Sequence, residues 1–180
     1  MSEIYFVSDT HFNHTNIIKY CNRPFSNVAD MDEALIDNWN SRIKPNDIVY
    51  HLGDFMFGKD NSKFDHEIAE FIFKNLNGIK YLIKGNHESF TLRNYSSEFR
   101  GIYDYFKLKD NNDEFILFHY PIAEWDKCHR GSIHCFGHVH NGRKPEGKSL
   151  DVGVDANNYY PIHIDEVRQK VKNISCIAHH

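Results

Sequence analysis

The residue types able to do chemistry in this 180-residue chain stand where hydrophobic runs stop. Ile4-Tyr5-Phe6-Val7 leads into Ser8-Asp9-Thr10-His11, and the run from Asp47 ends in His51-Leu52-Gly53-Asp54. Ile79 to Ile83 is followed by Gly85-Asn86-His87-Glu88, and Glu114 to Phe118 by His119-Tyr120-Pro121. Ile133 to Phe136 is followed by Gly137-His138-Val139-His140. Ligands of α/β sheets collect at the carboxyl ends of strands, so these five points can converge on one pocket. Asp9, His11, Asp54, Asn86, His119, His138 and His140 make a mixed oxygen and nitrogen donor set without thiolate. Such a set suits Mn, Fe or Zn in an open site better than a closed structural zinc site. Seven donors exceed the needs of one tetrahedral ion and match two ions sharing a bridging carboxylate. Asp9 and His11, like His138 and His140, lie two apart, which in extended backbone turns both side chains the same way.

The elements that must position these residues alternate in the first half of the chain. Ile4 to Val7, Asp47 to Leu52 and Ile79 to Ile83 read as strands. Asp30 to Ile43, with Asp30 as its cap, and Lys63 to Leu76 read as helices between them. That β-α-β-α-β order predicts parallel pairing with helical crossovers. The second half reads as meander-like strands over Ile102–Leu108, Glu114–His119, Ile133–Phe136 and Leu150–Val154, with a closing helix from Asp165 to Lys172. Asp110-Asn111-Asn112-Asp113 reads as a hairpin connection. Two packed sheets flanked by helices follow from this order.

Composition narrows the class. With 41% hydrophobic and 26% charged residues, the chain has an ordinary soluble composition. Its length favours a single domain over residues 1–178, with the terminal pair His179 and His180 read as a tag remnant or disordered tail. No apolar run approaches the roughly 20 residues of a membrane span. Four cysteines without a C-x-x-C pair, and no signal-peptide pattern, predict a reduced, cytoplasmic protein. A net charge of -4 offers no basic footprint for nucleic acid, although bound metals would add charge that this count omits. Nothing indicates an oligomeric state.

The blocks D-x-H, G-D, G-N-H-[DE], H and G-H-x-H, in this order from Asp9 to His140, resemble those of the calcineurin-like metallophosphoesterase superfamily. Ser8 to His14 and Asn22-Arg23-Pro24-Phe25 resemble, more narrowly, a small uncapped group of bacterial and phage phosphoesterases. The resemblance implies a four-layer α-β-β-α sandwich of two mixed sheets flanked by helices. It implies that Asp9, His11 and His140 hold one metal, that Asn86, His119 and His138 hold the other, and that Asp54 bridges them. His87 would then stand beside the leaving-group oxygen as a proton donor or transition-state stabiliser. The implied activity is hydrolysis of a phosphomonoester or phosphodiester at a dinuclear centre with a bridging hydroxide. The implied cofactors are two divalent ions (Mn, Fe or Zn, with Mn or Fe/Mn favoured), and the implied partner is a small phosphoester.

Other residues carry separate expectations. Arg23 and His14 are candidates for the substrate phosphate, since a guanidinium matches phosphate oxygens bidentately. His51 is a candidate to hold a ligand carboxylate in place, and Glu88 to support its loop. Trp125 reads equally as a pocket wall or as core, and Phe55-Met56-Phe57 as an apolar wall. A nuclease of the same superfamily is an alternative, weighed down by the missing basic patch and by the absence of an accessory domain. A non-catalytic interaction module with the same fold is another. Such a module would be expected to lose ligands or the histidine after Asn86, and both are present here.

Overall fold

The computed structural model describes residues 2–177; the His179–His180 pair, with its tag or tail reading, lies outside the described residues. β1 (Ile4–Val7), β2 (Ile48–His51), β3 (Ile79–Ile83) and β4 (Gly101–Tyr103) pair in parallel in the order β4-β3-β2-β1. β5 (Tyr105–Asp110), β6 (Asp113–Phe118), β7 (Ile133–Phe136) and β8 (Ser149–Asp151) form a second sheet in that order. β9 (Ile162–His163) adds antiparallel to β1 at the edge of the first sheet. Both sheets are therefore mixed, as expected.

Period-two alternation explains why these short runs are apolar throughout. Phe6, Tyr50, Leu52 and Ile83 of the first sheet meet Phe115, Leu117, Ile133 and Cys135 of the second, forming the core between the sheets. The alternate residues Val7, Val49 and Leu82 face outward. Met31, Leu35 and Trp39 of α2 (Val28–Arg42) and Ala69, Ile72 and Phe73 of α3 (Lys63–Asn75) cover them. α1, the short helix Thr15–Tyr20, and α4 (Ser89–Asn94) add Ile17 and Phe90 to the same layer. α5 (Ile164–Val171) closes the core between the sheets with Ile164, Val167 and Val171. On the outer face of the second sheet, Trp125 and Cys128 pack on Ile116, so Trp125 is core and not pocket wall.

Three local expectations change. α2 is capped by Asn27, whose side chain accepts from the Asp30 amide; Asp30 instead sits in the first turn. The run from Ile102 to Leu108 is not one strand, because the chain passes between sheets at Asp104 and divides into β4 and β5. The second sheet is no meander: β6, β7 and β8 are parallel, and the segments between them supply the long returns such pairing needs. Only β5 and β6 form the expected hairpin, turning at Asn111 with φ 53°. β9, α1 and α4 are too short for periodicity to reveal.

His134 on β7 yields a prediction. Its ring is fully buried, with Nδ1 3.1 Å from the Ile116 carbonyl oxygen, and burial holds its pKa down at about 4. Between pH 6.5 and 4 the unfolded chain therefore binds a proton that the native state refuses, so stability falls as pH falls through that window. Relative to His134→Gln, the wild type is expected to lose up to about 3 kcal/mol of unfolding free energy between pH 7 and 4. Urea melts at both pH values measure this, and a constant difference between the two proteins would refute it.

Candidate metal centre

Strands β1, β2, β3, β6 and β7 all deliver their carboxyl ends to the same edge of the sandwich. The loops that follow are knitted together by backbone hydrogen bonds. The Asp9 and His11 amides donate to the Gly53 and Asp54 carbonyls at 3.0 Å, and Gly137 donates to His119 at 2.9 Å. Five of the seven expected ligands leave regular backbone there: Asp9, His11, Asp54, His138 and His140 have φ between 47° and 70°. This left-handed region is rare for residues other than glycine. The Asp9/His11 and His138/His140 pairs are thus not displayed by extended backbone as expected. Turns aim each side chain instead. Gly137 is required beside them, because a Cβ there would meet Ser8 Oγ and Asp9 Oδ2. Gly53 has φ 95°, and a Cβ on it would come within 2.6 Å of His119 Nδ1.

Two groups of donor atoms result. Asp9, His11 and His140 place one ligand atom each within 4.8 Å of one another, and so do Asp54, His119 and His138. Asp54 Oδ2 lies 3.5 Å from His11 Nε2 and 3.7 Å from His119 Nε2, between the groups. Asn86 Oδ1 is 3.2 Å from His119 Nε2. Asp9 Oδ1 and His11 Nε2 are buried yet have no hydrogen-bond partner, an arrangement costing about 1–3 kcal/mol per atom unless something answers them. A cation between these atoms would satisfy both, so the donor set fits a metal pair.

The electrostatics agree. Burial pushes the Asp9 carboxyl up to about 7, against the pull of His140. Burial opposes charge on His140, but its hydrogen bonds to Asp155 and Cys21 push it up to about 10. The Asp9 shift is a cost of burying its charge, and the His140 shift comes from its hydrogen-bonded partners and the Asp9 carboxylate; a cation at this spot would offset the first. Burial also holds His11 far below the usual histidine range, leaving its ring a neutral donor.

Tautomers are set from behind. His119 Nδ1 donates to the Leu52 carbonyl at 2.7 Å, and His140 Nδ1 donates to Asp155 Oδ2 at 2.7 Å. Each Nε2 thereby faces a carboxylate, His119 toward Asp54 and His140 toward Asp9, and a cation there would take the Nε2 lone pair of the neutral ring. Asp155 escaped the sequence reading; its place four residues past the end of β8, after Gly153, was the available signal. Cys21, on the cleft wall beside His140, also escaped it.

Arg23 does not reach the cleft. All of its donors are spent: on Asp155 through Nε and Nη2 at 2.9 Å, on the Asp9 and Thr10 carbonyls at 2.7 and 2.9 Å, and on Met31 Sδ. Its side chain is fully buried, and it braces the left-handed Asp9 turn where a phosphate contact was expected. His51 holds no carboxylate either. Its Nδ1 accepts from the Gly53 amide, leaving Nε2 to donate to Thr10 Oγ1 at 2.9 Å, and burial keeps the ring neutral with a pKa of about 3. His14 and His87 do line the cleft. Glu88 accepts from the Phe55 amide and supports its loop, its acid pushed up to about 8 by burial. Because Asp155 pairs with a buried guanidinium, Asp155→Asn is expected to destabilise the fold by about 3 kcal/mol. Thermal unfolding without metal would show this; an unchanged midpoint would contradict it.

Comparison with known proteins agrees with this geometry. The calcineurin-like phosphoesterase family model matches residues 2–171. The uncharacterized protein MJ1445 of Methanocaldococcus jannaschii is 41% identical over 172 residues, covering 92% of this chain and 89% of that protein. The Gene 66 protein of Mycobacterium phage D29 is 25% identical over 203 residues, covering 97% and 98%. The crystal structure of AQ665 from Aquifex aeolicus, a protein of unknown function, superimposes with a TM-score of 0.76 at 27% identity, over 95% of this chain and all of that one. With nearly its whole length matched by one family model, and its strand-end Asp, Asn and His residues gathered at one edge, this chain belongs to the calcineurin-like phosphoesterase family.

Proposed function

We propose that the protein is a cytoplasmic hydrolase of small phosphomonoesters or phosphodiesters that works with two divalent ions, Mn or Fe/Mn being favoured. The observation that carries this is the pair of donor groups sharing Asp54, with Asp9 Oδ1 and His11 Nε2 buried and unpartnered between them. Asp9, His11 and His140 would hold one ion and Asn86, His119 and His138 the other, with Asp54 shared. When bound, such ions supply Lewis acidity that lowers the pKa of water and offsets charge on phosphoryl oxygens.

The chain's own residues do the rest. Asp155 and the Leu52 carbonyl hold the ligand rings in the productive tautomer. Arg23 keeps the Asp9–Thr10 backbone in its strained turn. His87 is exposed at the cleft, its ring 5.7 Å from that of His11, and it serves as proton donor to the leaving oxygen. His14 lines the same cleft with its Nδ1 unpartnered, which supports a contact to the substrate phosphate. No helix among the described residues is long and apolar enough to cross a membrane, and the four cysteines are free, which supports the cytoplasmic reading.

The test is a panel of a monoester, a diester and a cyclic nucleotide, assayed on metal-free protein and after Mn²⁺ addition. Metal-dependent turnover of any of these is expected. Indifference to all three, together with no stoichiometric metal binding, would favour the interaction module. An oligonucleotide assayed alongside gives the remaining arm, and its cleavage alone would favour the nuclease.

A further inference from the structure

The cleft beside the donor groups has a volume of about 670 Å³, enough for a phosphoester with a sizeable organic part. Its lining contains neither lysine nor arginine among the described residues. Within this cleft, affinity beyond the metals does not come from lysine or arginine side chains. The lining contains Ile17, Tyr20, Phe57 and Val139 instead. Tyr20 is 72% exposed and Phe57 is 42% exposed, although each would stabilise the fold more if buried.

The Phe57 ring is held in place. It stacks on His14 with centroids 4.9 Å apart and planes 17° apart. Its backbone is pinned by a 2.8 Å hydrogen bond from its amide to the Phe12 carbonyl, and its carbonyl accepts from Asn13 Nδ2. Tyr20, at the end of α1, lines the same cleft, its ring 6.4 Å from His14 and edge-on. A fixed aromatic surface in water, reached from the same cleft as His87 and His140, is pre-organised for a flat ring.

We infer that the cleft selects phosphoesters bearing an uncharged aromatic group, which stacks on Phe57 and Tyr20 while the phosphorus lies at the metal centre. This rests on the phosphoesterase reading and adds the substrate class to it. The ring could be a nucleobase or a simple aryl group, and the stacking chemistry is the same for both.

The test compares naphthylmethyl phosphate with pentyl phosphate, each as the monoester and as the methyl diester. Both release a primary alcohol of similar acidity, so intrinsic reactivity is closely matched and the ring is what differs. A mononucleotide forms a third arm that separates nucleobase from aryl preference. Stacking acts equally on ground and transition states, so the ring is expected to lower KM about tenfold with kcat little changed. Phe57→Leu and Tyr20→Ala should each reduce that KM ratio several-fold, and together bring it close to one. Equal KM values with and without the ring, or a preference that survives in the double variant, would overturn the inference while leaving the phosphoesterase reading intact.

Binding of naphthylmethanol, followed by saturation-transfer NMR, needs no turnover. It is expected with wild type and lost in the double variant. Absence of transfer in the wild type would overturn the inference even if no ester is hydrolysed, whereas the failure of hydrolysis alone counts against the phosphoesterase reading.

Discussion

Asp54→Asn is expected to lower phosphoester turnover by about 10³-fold or more, with metal content falling below two ions per chain. The carboxylate has two separate duties. Oδ1 accepts from the His87 amide at 2.9 Å, and Oδ2 stands between His11 and His119. An amide has one acceptor and one donor end. If its oxygen keeps the His87 amide, its NH₂ points where a cation belongs. If it turns the other way, two N–H groups oppose each other beneath His87. The volume is conserved, so the fold is expected to persist while the shared ligand is lost. Several kcal/mol of transition-state stabilisation attach to metal at such a site, and about 4 kcal/mol corresponds to 10³-fold. Metal analysis alongside kcat measures the effect. Two ions per chain with turnover within threefold of wild type would remove Asp54 from the bridging position.

His87→Ala is expected to slow hydrolysis of alkyl phosphoesters by about 10²–10⁴-fold while metal stoichiometry stays at the wild-type value. The side chain belongs to neither group of ligand atoms, and it is the backbone amide, retained in alanine, that bonds Asp54. A proton donor matters most when the leaving oxygen is strongly basic. The loss should therefore shrink for nitrophenyl esters, whose leaving group departs without a proton. A residue that merely shapes the loop would depress both substrates alike. Uniform loss across leaving groups, or full activity toward alkyl esters, would take His87 out of the chemistry.

Much of the architecture was legible because its causes are local. Apolar runs at Ile4–Val7 and Ile79–Ile83, helical stripes between them and breakers around them are consequences of side-chain type and spacing alone. The limits were local as well. Asn27 and Asp30 are both good caps, and the structure gives the cap to Asn27, whose side chain accepts from the Asp30 amide. The two-residue strand β9 carries too few residues for any period, and its pairing with β1 joins positions some 160 residues apart in sequence order only through the fold.

For the candidate site, the residue types and their order determined which donors were available: Asp, Asn and His at strand ends, with His87 one residue past Asn86. That much is chemistry of side chains and holds before folding. Which atoms meet was decided by tertiary structure alone. The turns at Asp9, His11, Asp54, His138 and His140 lie in backbone that these residues rarely choose, and long-range partners hold them there. Arg23 illustrates the difference. In sequence its guanidinium is a candidate phosphate ligand; in the fold Asp155, 132 residues away, and the Asp9 and Thr10 carbonyls use its donors first. A sequence lists which groups can bond, but the competition among partners is settled only where the chain brings them within about 3 Å.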